Sequence, residues 1–258
     1  MKNIVLFGSG KLTKIIVDCY KKGLLKDYKI LGCYSKTKEH RDYINDLLNV
    51  KRIDSFNELL NLKPDYLIEA TNPSSTKDVL EDVINQKINV IILSIGALSD
   101  EEFYKKIENK ARINNVKIHI ASGAISGFQV LNTMRLMGIT ESKLINTKNM
   151  QRLKNSPIYN EEYLDKEYVA FKGTAYDAIT NLPTGINVGV ATALATLGVH
   201  NTNIEIITKP NYIGDSQHIK ASCGDDVKVS LDVYSSTSDI AGYSVVALLI
   251  NLASPIEF

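Results

Sequence analysis

Two glycines and one histidine hold most of the chemistry that can be read from this chain of 258 residues. In "IVLFGSGKLTKIIVDCY", residues 4–20, Gly8 and Gly10 follow an apolar run and open a segment of helical periodicity whose first residues are Lys11 and Leu12. A strand-to-helix turn of this composition suits a dinucleotide. The first glycine allows the tight turn, and the second lets backbone N–H groups at the helix N-terminus approach a pyrophosphate. The third glycine of the full G-x-G-x-x-G pattern, which lets helix and strand pack closely, is replaced by Thr13. Threonine is small enough to loosen that packing without abolishing the site. The same two glycines would also serve an ordinary βα turn. Among the four histidines, His218 in "SQHIK" is the best candidate for a general base, because imidazole is the side chain suited to proton exchange near neutral pH and this segment is rich in polar groups. His40 lies beside the next loop, His119 in an apolar run and His200 in a turn. A strand histidine satisfied by a backbone carbonyl is the competing reading of His218.

Two other segments bear on a nucleotide. After the second apolar run the chain reads "GCYSKTKEHR", with no acid at the tip to meet a ribose 2′-hydroxyl. Ser35, Lys36, Thr37 and Lys38 stand there instead, a set that accommodates a 2′-phosphate and so favours NADP over NAD, although lysines are also common in solvated loops. After the fourth run, "SIGA" places Ser94, Ile95 and Gly96 at the carboxyl end of a strand, where an open parallel sheet holds its ligands and the nicotinamide would lie.

These residues need a scaffold, and the first half of the chain supplies the alternation of a parallel sheet covered on both faces. The pattern predicts strands at 3–7, 29–34, 66–70, 89–94 and 117–121, separated by helices at 11–23, 38–49, 55–61, 74–86 and 100–114. Ser55, Pro73 with Ser74, and Ser99 before three acids mark helix starts. Beyond residue 120 the rhythm changes to an α+β pattern. It predicts a helix near 127–138, a strand near 143–149, a polar stretch at 151–168 and a strand at 168–172. Two helices split by the turn Pro183-Thr184-Gly185 come next, then strands at 203–208, 217–223 and 227–233 and a closing amphipathic helix. The expected architecture is therefore α/β: a Rossmann-type dinucleotide-binding domain over 1–120, completed by a returning helix in 237–258, and an α+β domain for catalysis and oligomerisation over 121–236.

Composition narrows the partners. With 30 basic and 29 acidic side chains the net charge is +1, so neither nucleic acid nor an anionic membrane is expected and a small molecule is. Cys19, Cys33 and Cys223 are odd in number and far apart, without a C-x-x-C or Cys/His cluster, which points to no metal site and to incidental thiols. The chain runs from Met1 straight into a strand, and its longest apolar runs have the length of buried strands, so a cytoplasmic location is expected.

Taken in order, "EATNPS", "ILSIGALSDEEF", "IASGAISGFQVL", "LPTGINVGVATALATLG" and "KPNYIGDSQHIKAS" resemble the L-aspartate dehydrogenase family, nicotinamide enzymes related in overall design to homoserine dehydrogenase and dihydrodipicolinate reductase. The likeness spans nearly the whole chain, and "SIGALSDEE" and "SGAISG" are its most specific parts. It implies that Ala70, Thr71 and Asn72, together with Ala124 and Asn187, contact NAD or NADP. It also implies that His218 is the catalytic histidine, and that Ser122, Ser216, Thr237 and Ser238 lie with the substrate. The departures cluster around the substrate rather than the cofactor. Ser216 stands where the family has Asn, Gln129 where it has Asp, and Gly185 where an N-x-N motif begins, and the loop from Pro210 to His218 is one residue longer.

The implied chemistry is oxidation of the CH–NH2 group of a small acidic amino acid, L-aspartate to iminoaspartate and oxaloacetate, or the reverse reductive amination. That needs a base for the amine proton and donors for the carboxylates. His218 is the base; Thr237 and Ser238, at a helix N-terminus, serve equally as anion ligands or as plain helix caps, with Lys148 and Arg152 adding charge. Two alternatives remain open at the level of sequence: a catalytically silent nucleotide-binding homologue, and a reductase of another small imine or carbonyl. A homodimer or higher homo-oligomer is expected by family likeness.

Overall fold

Short runs of Ile, Val and Leu make five strands in the first part of the chain, each followed by a helix or turn. In the computed structural model, which describes residues 1–125, 127–182 and 185–257, these are β1 (Lys2–Phe7), α1 (Lys11–Lys21), β2 (Tyr28–Tyr34), α2 (Lys38–Leu48), α3 (Phe56–Asn61), β3 (Tyr66–Glu69), α4 (Pro73–Asn85), β4 (Asn89–Ile92), α5 (Glu101–Asn114) and β5 (Ile118–Ile120). All pairings are parallel, in the order β2-β1-β3-β4-β5. β3 is buried along its whole length and β1 from Ile4 to Phe7, as expected of strands covered on both faces. The chain leaves β1 for β2 on one side and returns to β3 on the other. The boundary between β1 and β3 is thus the switch point where successive βα turns part, the usual seat of a ligand in open α/β sheets.

Caps set the helix starts, and two differ from expectation. Ser55 accepts from Glu58 N–H as expected. Asn72, not Ser74, caps α4 by accepting from Ser75 N–H, with Pro73 at the first helical position. Asp100, not Ser99, caps α5, because its carboxylate reaches the N–H groups of both Glu102 and Phe103 while Ser99 ends a 3-10 turn, Ile95–Ser99. β4 stops at Ile92, short of the expected Ser94, for a reason that lies in Glu69 and is taken up below.

The chain divides into two compact units, Met1–Gly123 with Asp239–Phe258, and Ala124–Ser238. The second unit comprises α6 (Phe128–Met137), β6 (Glu141–Lys148), β7 (Tyr168–Thr174), α7 (Ala175–Asn181), α8 (Asn187–Ala195), β8 (Asn203–Thr208), β9 (Asp215–Cys223) and β10 (Val227–Ser235). Its sheet runs β10-β9-β6-β8-β7, with β6 and β8 parallel and the other pairs antiparallel. β6 and β9 start two residues earlier than their apolar patterns predict, and β10 ends two later. The ladder there continues through the polar pairs Glu141–Ser222, Lys148–Asp215 and Asp215–Ser235. The polar stretch contains two 3-10 turns, Met150–Leu153 and Glu161–Tyr163, capped by Asn149 and Asn160. Of the predicted Pro-Thr-Gly turn, Pro183 and Thr184 lie outside the described residues, and Gly185 is left-handed with φ 78°.

α9 (Asp239–Ala253) belongs to the first unit. Gly242 gives α1 room: a side chain there would meet Ile15 at 3.0 Å. Val245, Val246 and Leu249 enter the core formed by Ile4, Leu6, Ile16, Val17, Tyr28 and Ile30, and the Tyr28 hydroxyl donates to the Leu249 carbonyl at 2.7 Å. Burial pushes the Tyr28 phenol up to about 12, so it remains a donor throughout the working pH range. Leu249→Ala should therefore cost about 2–5 kcal/mol, whereas Ile250→Ala, on the exposed side of the same helix turn, should stay within about 0.5 kcal/mol. Urea denaturation of the two variants measures the difference.

Candidate active site

The turn after β1 is built from backbone. Gly8 has φ 113°, and a side chain on it would lie 2.7 Å from the Ala70 carbonyl carbon, so only glycine lets the turns after β1 and β3 lie backbone to backbone. Gly8 N–H donates to the Tyr34 carbonyl at 2.9 Å, and the Gly8 carbonyl receives the Thr13 hydroxyl at 2.9 Å. The residue that replaces the third fingerprint glycine does not loosen the turn. Thr13 is fully buried and laces α1 back onto it. Gly10 caps α1 without a side-chain acceptor, and a side chain at that position would meet open space. The first N–H groups of α1 thus have room for an anionic group, which is the fit a pyrophosphate needs. Lys11 forms an ion pair with Asp239 at 2.5 Å, and Leu12 packs on the core.

At the tip of β2 the picture departs from expectation. Ser35 is buried, and its hydroxyl is taken by Ser9 at 2.7 Å and by the Thr37 carbonyl at 3.1 Å. Lys38 pairs with Asp42 one turn along α2, and Lys36 is exposed. The cation most firmly fixed at this tip is Arg41, which the sequence pattern did not single out. Its guanidinium lies over the Tyr34 ring at 5.4 Å, donates to the Ser35 carbonyl at 3.2 Å and meets Asp54 at 3.0 Å. Only its place in the first turn of α2 could have drawn attention to it.

The turns after β3 and β4 are joined through Glu69. Thr71 donates to it from both backbone and hydroxyl, and Ser94 does the same. Asn72 is occupied as the α4 cap, Ala70 is half-buried, and Ile95 and Gly96 are buried. Ser122 is half-buried, and the neighbouring Gly123 N–H donates to Ser244 Oγ at 3.0 Å.

In the second unit β9 alternates strictly. Gln217, Ile219, Ala221 and Cys223 are buried, so Ser216, His218, Lys220 and Ser222 point to the other face. His218 sits directly opposite Asp232 in the antiparallel register, and its Nδ1 is hydrogen-bonded to the Asp232 carboxylate. With Nδ1 engaged, Nε2 is the ring nitrogen left to exchange a proton. Asp232 was missed because it follows no motif; only the cross-strand register brings it to His218. The competing reading of His218, a backbone carbonyl partner, is not what this ring nitrogen finds. Ser216 pairs with the Tyr212 hydroxyl, Tyr234 donates to the Ile213 carbonyl at 3.1 Å, and a side chain on left-handed Gly214 would lie 2.6 Å from Ser236 Cα.

The remaining candidates are spread through this unit. Ala124 opens it, Asn187 is the first residue of α8, and Thr237 and Ser238 are exposed after β10, with Ser235 Oγ bonded to the Thr237 carbonyl. Lys148 and Arg152 do not join His218. By alternation Lys148 shares the covered face with Leu144 and Asn146, and Asp215 meets it at 3.6 Å and Arg152 at 2.8 Å. Burial holds the Lys148 ammonium below its ordinary range, with Asp215 pulling the other way. Gln129 is exposed on α6. Cys19, Cys33 and Cys223 are all buried and free, with burial pushing the Cys33 thiol up to about 12. Among the described residues no group of His, Cys, Asp and Glu has a metal-ligating arrangement, and no helix is long and apolar enough to cross a membrane.

Comparison with known proteins matches both halves. Residues 8–121 fit the family of homoserine dehydrogenase NAD-binding domains, and residues 129–252 fit the aspartate dehydrogenase C-terminal family. An L-aspartate dehydrogenase of Methanococcus maripaludis is 27% identical, the match covering 100% of this chain and 99% of that protein. One from Nitrosopumilus maritimus is 29% identical over 86% of this chain and 84% of its own. The crystal structure of aspartate dehydrogenase from Thermotoga maritima superposes with a TM-score of 0.82 at 22% identity, covering 100% of this chain and 99% of that one.

The geometry of Gly8 makes a direct test of the turn. Gly8→Ala forces a left-handed alanine against Ala70, at a cost of about 1–3 kcal/mol for the backbone alone. The variant should lose roughly tenfold or more in dinucleotide affinity, read by nicotinamide fluorescence, while Gly10→Ala, with open space around its side chain, should change stability little.

Proposed function

We propose that the chain, whose second half matches the aspartate dehydrogenase C-terminal family and whose first half matches the homoserine dehydrogenase NAD-binding domains, is an NAD(P)-dependent dehydrogenase of a small acidic amino acid. The reaction is the conversion of L-aspartate through iminoaspartate to oxaloacetate and ammonium, or its reverse. The observation that carries the reading is the pairing of His218 with Asp232 inside the segment that matches the aspartate dehydrogenase C-terminal family. The first unit is the dinucleotide-binding domain and the second the catalytic one. A silent homologue and a reductase of an unrelated carbonyl are not favoured, since full-length relatives are L-aspartate dehydrogenases.

A bound nicotinamide supplies the acceptor, or in reverse the donor, of the α-carbon hydride. The chain's own residues do the rest. The α1 N-terminus and the Gly8–Gly10 turn would hold the pyrophosphate of a bound cofactor, with the turns at Ala70–Asn72 and Ser94–Gly96 on its nicotinamide side. His218 takes the ammonium proton at Nε2, releases it to solvent, and as the neutral imidazole then activates the water that hydrolyses the imine, while Asp232 keeps the Nδ1 proton in place. Thr237 and Ser238 offer hydroxyls to a carboxylate; Ala124 and Asn187 complete the cofactor contacts, and Ser122 and Ser216 those of the substrate. One departure from the family has a ready explanation: Gly185 is left-handed, a conformation that asparagine and glycine both accept. Exposed Val169 and Tyr234 on the face shared with His218 support a homo-oligomer, and the reading carries with it a cytoplasmic location.

Two measurements test this function. His218→Ala should lower turnover by about 10²–10⁴ while leaving nicotinamide binding nearly unchanged, and Asp232→Asn should lower it by less. A thermally stable His218→Ala protein with full turnover would remove the mechanism. The cofactor preference is checked by replacing Lys36 and Lys38 with Ala, which should weaken NADPH more than NADH by ~1–2 kcal/mol. Because Lys38 already pairs with Asp42, most of the effect should come from Lys36.

A further inference from the structure

Glu69 is an acid in a strand otherwise made of Tyr, Leu and Ile, and it is 1% exposed. Five donors converge on its two oxygens. Oε1 accepts from Thr71 N–H at 2.6 Å, the Thr71 hydroxyl at 2.7 Å and the Ser94 hydroxyl at 2.8 Å. Oε2 accepts from Ser94 N–H at 2.9 Å and Leu93 N–H at 3.2 Å. None of these donors is a cation. Burying a carboxyl group in this way is costly unless its lone pairs are filled, and an aliphatic residue would serve the core at least as well. The acid is there for its bonds.

Those bonds reach only two segments, the turn after β3 and the turn after β4. They also explain why β4 ends early: Ser94 turns both its N–H and its hydroxyl to Glu69, at ψ 60°, a backbone angle of neither helix nor strand. A network filled this completely in a low-dielectric interior is stiff. We infer that Glu69 is a positioning residue for the nicotinamide half of the cofactor, setting the turns Ala70–Asn72 and Ser94–Gly96 at the height the ring requires. The assignment rests on the nucleotide reading above. The pyrophosphate and adenosine side, although Gly8 lies against Ala70, has bonds of its own from Thr13 to Gly8 and from Ser9 to Ser35, so removing Glu69 acts mainly on the nicotinamide half of the ligand.

Substituting Glu69→Gln keeps the shape and changes one acceptor into a donor. With its carbonyl toward Leu93 and Ser94, the new amide faces the Thr71 N–H, donor against donor, so the turn after β3 shifts while the turn after β4 stays. The experiment titrates wild type, Glu69→Gln and Glu69→Ala with the preferred reduced cofactor by fluorescence. The same proteins are titrated by calorimetry with ADP-ribose or its 2′-phosphate, which lack the nicotinamide. Binding of the intact cofactor should weaken about tenfold in Glu69→Gln and further in Glu69→Ala, with the truncated ligand within about twofold of wild type. If Glu69→Ala does not fold, the near-isosteric Gln variant decides alone. Equal affinity of wild type and Glu69→Gln for the intact cofactor overturns the assignment, and so does an equal loss for both ligands, which marks a general folding defect. A wild-type chain that binds neither ligand overturns the nucleotide reading, and this assignment with it.

Discussion

The first unit hinges on one close approach, the backbone of Gly8 against the carbonyl of Ala70. A parallel sheet whose chain crosses from one side of β1 to the other must part its turns at that boundary, and the parted turns must still pack. Gly8 reconciles the two demands by leaving out a side chain and taking a positive φ. Once it does, its carbonyl faces inward and needs a donor. Thr13 supplies a hydroxyl and Cys33 a thiol at 3.3 Å. The turn is then fixed from behind, so its open side presents the first N–H groups of α1 without a loss of order. Turn, helix and the floor of the anion site follow from a single missing Cβ.

A second constraint works through register. In an antiparallel pair the residue opposite is fixed for the whole ladder, and a slip of one position would turn every side chain to the wrong face. Nine consecutive pairs hold β9 to β10, and the burial of Ile219, Ala221 and Cys223 sets which face is inside. The meeting of His218 with Asp232 is thus secured by apolar residues whose side chains lie on the opposite face of the sheet. An acid on a loop would need its own restraints to do the same.

Much of the fold was legible because apolar periodicity and turn residues report elements directly. Every predicted strand and helix among the described residues is present, with ends displaced by a few positions. The ends of β6, β9 and β10 that run past expectation share a cause: polar residues such as Glu141, Asp215 and Ser235 extend ladders by backbone pairing, which leaves no hydrophobic trace. Of the candidate site, Gly8 and Gly10 were legible as a turn, because a turn depends on one residue type at one spacing, while the role expected of His218 came from the family likeness. The site was illegible where partners meet only in space. Arg41, Asp232 and above all Glu69 are ordinary charged residues in sequence, and their meaning comes from what β2, β9 and β4 bring beside them. The role given to Thr13 was misjudged for a related reason. Size alone suggests a looser turn, but the hydroxyl is also a donor, and the Gly8 carbonyl is within its reach.

The residues around Ser216 are better understood together than singly. A serine is short, and taken alone it would leave part of this site empty. The loop before β9 returns Tyr212 so that its hydroxyl meets Ser216. The loop can close in this way because Gly214 is left-handed and lies against Ser235 and Ser236, where any side chain would collide with backbone. Tyr234 then seals it from the next strand through the Ile213 carbonyl, with its ring edge-on to Tyr212 at 6.2 Å. Each of these features would be unfavourable without the others. A serine without Tyr212 leaves space, the loop without Gly214 cannot fold back, and a tyrosine without Ser216 loses its partner. Serine and loop thus act as one unit, which puts a phenol hydroxyl at the start of β9, two residues from the histidine.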